Sequence, residues 1–89
     1  MKITELEWDE TNVEHITLHG TGPTEVEEVC SGPHTVFRGR DERYIVFGLT
    51  GAGRYLKVIL ERLHGDKYRP ITAIEMSEGE TRAYRKRDR

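Results

Sequence analysis

Basic residues and tyrosines alternate with aliphatic residues in the second half of the chain. In residues 55–62 the more polar side of a predicted strand holds Tyr55, Lys57, Ile59 and Glu61. Further basic groups precede and follow it: Arg38, Arg40, Arg43 and Arg69. Cationic groups bind phosphates and aromatic rings stack on unpaired bases, which is the chemistry of RNA binding. An ordinary solvated strand face has the same pattern, and the residues alone do not decide between the two.

His19 is a candidate general acid or base, because an imidazole exchanges protons near neutral pH. It also ends a predicted helix just before Gly20. A histidine there can bind the last carbonyl groups of the helix, where positive charge is favoured. From the residues alone, the capping role of His19 is favoured over a catalytic role.

A second set of residues has the spacing of zinc ligands. His15 and His19 lie four apart, as do Cys30 and His34, and two such pairs can bind zinc tetrahedrally. The second pair is interrupted by a Gly-Pro dipeptide, so zinc is a remote alternative. Cys30 could also be a thiol nucleophile, but it lies on the apolar side of a predicted helix, which favours a small buried core residue.

The bulk properties indicate one small domain. The chain has 89 residues and a single cysteine, which suits a reducing compartment. It has no apolar leader and no apolar run long enough for a bilayer, so we expect a cytoplasmic protein.

Residues 1–34 hold eight acidic groups and one lysine, whereas residues 35–89 hold thirteen Lys and Arg and eight acidic groups. This asymmetry by itself is typical of an ordinary charged surface.

Local patterns predict a β-α-α-β-β-β-β-α order. Three capping boxes are expected to open the helices: Thr11 with Glu14, Thr24 with Glu27, and Ser77 with Glu80. The predicted strands are 3–8, 35–38, 43–49, 55–62 and 68–74, and the first two helices are 12–19 and 25–30. Short Gly-containing loops favour an antiparallel meander, and Pro70 suggests an edge or a bulge. We therefore predict a two-layer α+β domain over residues 1–85, with a frayed basic tail at 86–89.

Several short motifs, taken in order, resemble the BrnT family of toxins from bacterial toxin–antitoxin pairs. Trp8-Asp9 ends the first strand, and Leu18-His19-Gly20 ends the first helix. The motifs of the sheet follow, and the last helix completes the set: Arg40-Asp41-Glu42-Arg43, Gly53-Arg54-Tyr55-Leu56, Arg69-Pro70-Ile71-Thr72-Ala73-Ile74 and Glu80-Thr81-Arg82-Ala83-Tyr84. The resemblance extends over nearly the whole chain.

The resemblance implies a RelE-like fold and metal-independent RNA cleavage without a cofactor. A ribose 2′-OH would attack the adjacent phosphate, which requires a base, an acid and cationic stabilisation. Arg43 and Arg69 would stabilise the phosphate, His19 or Glu42 would be the base, and Tyr84 would position the substrate or donate a proton. The RNA-binding residues would be Arg38, Arg40, Arg54, Tyr55 and Lys57. We expect the two arginines to surround one anion-sized position beside His19 and Gly20.

The resemblance also implies a partner, a cognate antitoxin that dimerises, binds operator DNA and forms a hetero-oligomer with the toxin. Two cations of the family pattern are replaced here, by Leu18 before the His-Gly pair and by Ile74 in the last strand. Loss of a transition-state donor costs about 3–4 kcal/mol. The alternative is therefore a catalytically weak or inactive interaction module with the same fold.

Overall fold

The chain folds as an α+β domain whose element order is the predicted one. A computed structural model describes residues 2–87. Its strands are β1 (Glu5–Leu6), β2 (His34–Arg38), β3 (Arg43–Leu49), β4 (Tyr55–His64) and β5 (Lys67–Glu75). Its helices are α1 (Glu10–Leu18), α2 (Pro23–Ser31) and α3 (Glu78–Arg87). The predicted fold class is confirmed, and α3 extends two residues into the segment that was expected to fray.

The strands form one mixed sheet in the order β1-β5-β4-β3-β2. The antiparallel meander from β2 to β5 is confirmed. The short strand β1 instead pairs in parallel with β5, where Leu6 lies opposite Tyr68. Pro70 lies in β5 beyond the two residues that pair with β1. Within residues 2–87 the strand therefore has no neighbouring strand on that side at Pro70, which fits the predicted edge position. The predicted bulge is present, because Ile59 pairs with Thr72 while Leu60 pairs with Pro70.

Two of the three predicted helix starts are wrong. The carboxylate of Asp9, rather than Thr11, caps α1: it accepts from the backbone N–H of Asn12 at 2.9 Å, and the Asn12 side chain accepts from the Asp9 N–H at 2.9 Å. Helix α2 begins at Pro23, a favoured first position, and Glu25 reaches back to the N–H of Gly22 at 3.1 Å. Each helix therefore begins before the threonine that was predicted to cap it: Asp9 is the N-cap of α1 and Gly22 is the N-cap of α2.

The third predicted helix start is confirmed. Ser77 Oγ accepts from the Glu80 N–H at 3.1 Å, and Glu80 accepts from the Ser77 N–H at 2.9 Å. These reciprocal bonds form the capping box that the sequence predicts for α3.

The inner face of the sheet is defined here as the face toward α1 and α2. Its fully buried strand residues are aliphatic and include Val46, Leu56, Val58 and Leu60. They pack with Ile16 of α1 and with the apolar side of α2. Burial of this contiguous apolar surface is the main source of stability in so small a domain.

Helix α2 approaches β3 closely at Gly48. A Cβ atom built on Gly48 would lie 2.7 Å from Val29 Cγ1. Only glycine leaves room for that contact, because real carbon atoms do not approach so closely. The absence of a side chain in β3 thus lets α2 seat directly on the sheet.

The outer face is defined as the opposite face, which holds Ile45, Phe47, Lys57, Ile59 and Glu61. It is covered only in part, by α3, near the β3–β4 loop. Three contacts hold the helix there: Lys57 with Glu80, the rings of Tyr55 and Tyr84, and Arg87 with the ring of Phe37. No helix within residues 2–87 covers the end of this face near the β2–β3 turn, where Arg43 is exposed.

Candidate functional site

Three charged side chains form a row across the open end of the outer face. Arg43 of β3 pairs with Glu61 of β4, which pairs with Arg69 of β5. Directly paired residues share a face, and neighbouring strands lie about 4.8 Å apart. The two arginine Cα atoms are therefore about 10 Å apart, with the Cα atom of Glu61 between them. We call Arg43, Glu61 and Arg69 the charged row.

The two arginines of the row differ in their partners. Asp9 accepts from Arg69 Nη2 at 2.7 Å and from Nε at 3.2 Å. Arg43 is exposed and has no ion pair within residues 2–87. The backbone N–H of Asn12, followed by the Arg69 side chain, holds the pKa of Asp9 below its usual value. Arg69 is thus already oriented by a fixed anion, whereas Arg43 keeps an uncompensated charge.

The β2–β3 turn places more of the predicted residues at this end. Asp41 and Glu42 both have positive φ, 56° and 60°, the backbone of a tight type I′ turn. Such angles are unfavourable for a residue with a side chain. Arg38 and Arg40 flank the turn and are exposed. Glu42 and Arg40 of the turn are therefore close to Arg43, whereas Arg38 pairs with Tyr44 and so lies on the inner-face side of the sheet.

His19 lies elsewhere, so the expected gathering of arginines beside His19 and Gly20 is wrong. Helix α1 runs along β5 on the inner face and ends beside the β3–β4 loop, where the Gly20 carbonyl accepts from Arg54 Nη1 at 3.1 Å. Arg43 is at the other end of β3, six residues from that loop, which is a distance of about 20 Å along the strand. The ring of His19 meets the ring of His15 at 5.1 Å instead. Its backbone N–H bonds the Ile16 carbonyl as a helix C-cap.

Tyr84 is also separated from the charged row. It is buried, with its ring 6.0 Å from the ring of Tyr55. Its hydroxyl donates to the Pro33 carbonyl at 3.4 Å. This tyrosine anchors α3 to the sheet near the β3–β4 loop. Tyr55 and Tyr84 are thus engaged with each other in packing.

Two predicted RNA-binding cations are neutralised by ion pairs. Arg54 binds Glu25 at 2.6 Å and Glu75 at 3.0 Å, and Lys57 binds Glu80 at 2.8 Å. Burial opposes ionisation of Glu25, yet the hydrogen bonds from Arg54 and the Gly22 N–H outweigh it and lower its pKa. The hydrogen bond from Lys57 is the largest cause of the lowered pKa of Glu80. Neither cation offers a free charge to an incoming phosphate.

The alternative zinc ligands do not converge. Within residues 2–87, no cluster of three or more His, Cys, Asp or Glu has the geometry of a metal site. His34 Nδ1 lies 2.8 Å from the Gly32 carbonyl. Cys30 is buried in the core, and burial followed by the nearby charge of Glu27 raises the pKa of its thiol to about 12. A thiol with so high a pKa is a poor nucleophile.

Glu61 is the residue that the site prediction missed. Strand alternation had already placed it on the same side as Lys57, but nothing local indicated that it would lie between two arginines. That position depends on which strands flank β4 and in what register. Ile74, which stands where the BrnT pattern has a cation, is on the same face, directly opposite Lys57.

Comparisons with known proteins assign no function to the site. No protein-family model matches the chain, and no curated protein matches it. Between residues 2 and 87, no helix has the length and apolar character needed to cross a bilayer.

Proposed function

We propose that this protein is a BrnT-like toxin of a cytoplasmic toxin–antitoxin pair, and that it cleaves RNA without a metal ion. The observation that supports this most is the charged row, in which Glu61 lies between Arg43 and Arg69 in the strand register of the outer face. A carboxylate can accept the proton of a ribose 2′-OH, and guanidinium groups stabilise the charge that develops on the phosphate. The chemistry requires no further cofactor.

The proposed step can be written with Glu61 as the base in place of His19 or Glu42. Glu61 takes the proton of the 2′-OH while the 2′ oxygen bonds to phosphorus. The bond to the 5′ oxygen breaks, and that oxygen takes a proton from solvent. The products are a 2′,3′-cyclic phosphate and a 5′-hydroxyl. Arg43 holds the phosphate, and Arg69, oriented by Asp9, stabilises it from the other side.

The roles of the other predicted residues follow from their positions. Arg40 lies in the turn beside the row and is proposed to bind RNA phosphates. Arg38 pairs with Tyr44 on the inner-face side, and its role in RNA binding stays a prediction. His19, Arg54 and Tyr84 lie toward the β3–β4 loop, where they support the fold. This division leaves the open end of the outer face for RNA and for the cognate antitoxin, whose binding there would block the charged row.

A second candidate function is a catalytically inactive interaction module of the same family. It is favoured by the ion pairs that already neutralise Arg54, Lys57 and Arg69, since a site that binds phosphate normally keeps its cations available. The partner would again be an antitoxin. The two functions share the binding surface and differ only in whether Glu61 and Arg43 perform chemistry.

The decisive experiment is incubation of the purified chain with RNA, with and without EDTA, followed by analysis of the fragment ends. We expect 2′,3′-cyclic phosphate ends that form equally in EDTA. Arg43→Ala should slow cleavage by about 10²–10³-fold, and Glu61→Gln should do so as well. Arg82→Ala and Glu14→Gln, at exposed positions outside the row, are the matched controls.

Each result separates the candidates. Intact RNA with the wild-type chain, together with tight binding of an antitoxin, establishes the interaction module and rejects the enzyme. Cleavage that EDTA abolishes rejects metal-independent chemistry. Cleavage by Glu61→Gln at the wild-type rate rejects the proposed base.

A further inference from the structure

An apolar cavity lies between α3 and the outer face. Its volume is about 170 Å³. The rings of Phe37 and Phe47 form one wall, edge to face with centroids 5.6 Å apart. Ala83 and Tyr84 of α3 form the other wall. Phe37 is 40% exposed, so an aromatic surface of the cavity is accessible from solvent.

The charges at the mouth of this cavity favour an anionic occupant. The guanidinium of Arg87 lies 4.8 Å from the centre of the Phe37 ring. Glu80, the acidic residue of the lining, is held by Lys57 at 2.8 Å. A cavity with aromatic walls and a cationic mouth suits a flat ring that carries a phosphate.

We propose that this cavity binds one base of single-stranded RNA, stacked on the ring of Phe47 and roughly perpendicular to the ring of Phe37, while Arg87 contacts the adjoining phosphate. Aromatic platforms with cationic borders bind single strands in this way, with little preference for sequence. The few polar groups of the lining supply no pattern of donors and acceptors for reading one base. Shape and stacking therefore determine the selection.

The cavity and the charged row are on the same face and follow the same strand. Phe47 is four residues from Arg43 in β3, about 14 Å along the strand. The bound base therefore belongs to a nucleotide near the scissile bond and not to the cleaved nucleotide itself. This inference rests on the proposed function for its choice of RNA, but binding in the cavity does not require cleavage.

The test uses short 2′-O-methyl oligonucleotides, which cannot be cut because the attacking hydroxyl is blocked. A single abasic position is moved along the strand, and binding to the whole chain is measured by fluorescence anisotropy. We expect loss of one particular base to weaken binding by about tenfold, the typical range for one stacked base. Phe47→Leu should remove that dependence while it preserves apolar volume, and Ile59→Val is the matched control.

The outcomes distinguish this inference from the proposed function. No binding, binding that is insensitive to every abasic position, or unchanged base dependence in folded Phe47→Leu would each overturn the base cavity. Circular dichroism and thermal unfolding establish that the variant is folded. Base-dependent binding that Phe47→Leu removes, in a chain that leaves RNA intact, supports the cavity and rejects the enzyme.

Discussion

The inner and outer faces of the sheet are made from the same strands but have different surroundings. The inner face is aliphatic and sealed by α1 and α2, and its buried polar side chains are satisfied, as when Asn12 donates to the Glu7 and Pro70 carbonyls. The outer face mixes half-buried Ile45 and Ile59 with charged groups. Because the inner face supplies most of the stability, the outer face can hold exposed apolar and charged groups that a binding surface requires.

The largest expected effect tests this division with the same substitution on each face. Leu56→Ala on the fully buried inner face should lower the free energy of unfolding by about 2–5 kcal/mol. Leu49→Ala at the end of β3, where the side chain is 41% exposed, should cost well below half of that. Urea denaturation of both variants measures the difference. Equal losses would show that the outer face is part of the core.

A smaller effect is expected where α2 meets the inner face. Gly48→Ala places a methyl group against Val29 Cγ1, so it should destabilise the chain by about 1–3 kcal/mol. Val29→Ala should also destabilise, because it leaves a cavity. The double variant should be more stable than the sum of the two losses predicts, since each change relieves the other. Additive losses in thermal unfolding would contradict the close contact.

A gain of stability is expected at the β2–β3 turn, beside the outer face. Glu42→Gly relieves a side chain at φ 60° but adds freedom to the unfolded chain. The net gain should be about 0.5–1 kcal/mol, measured by urea denaturation. RNA cleavage should be unchanged if Glu61 is the base. Greater stability combined with lost cleavage would instead identify Glu42 as the base.

The smallest effect is a pH dependence of the contact that holds α3 on the outer face. The pKa of Glu80 is lowered in the folded chain, chiefly by Lys57 and then by the Ser77 N–H. The unfolded chain therefore binds more protons as the pH falls below the ordinary value of 4.5. The stabilisation is complete above that pH and is lost as the pH drops through the folded pKa.

Glu80→Gln should flatten this part of the stability curve. Urea midpoints compared at pH 7 and at about pH 3.5 measure the change. Glu78→Gln, a neighbouring exposed residue with no ion pair within the described part of α3, is the control. If both variants keep the wild-type pH dependence, the pair with Lys57 contributes nothing to holding α3.

Much of the local structure could be predicted from particular residues. The strand Arg43–Leu49 is confirmed at both ends, because β-branched and aromatic residues between turn residues leave little alternative. The Ser77 capping box is confirmed as well. The starts of α1 and α2 were predicted too late, since Asp9 and Pro23 open a helix as readily as the threonines that follow them.

The candidate site was less predictable than the elements. Arg43 and Arg69 are 26 positions apart, and their common row depends on two strand pairings and a bulge. The sequence predicted His19 to lie beside Arg43 and Arg69. Helix α1 instead packs on the inner face, so His19 lies near the β3–β4 loop. Residues far apart in the chain meet only through sheet order and register, which local patterns do not encode.

By itself, the sequence determined the order of the elements, the inner and outer sides of β4 and the concentration of basic groups after residue 34. These follow from alternation, capping and turn residues, which act over a few positions. Only the tertiary structure decided that β1 joins β5, that α3 covers part of the outer face and that Glu61 lies between two arginines in the strand register. Those arrangements depend on the packing of the whole domain, because each apolar surface of a helix or sheet has to be buried against another element.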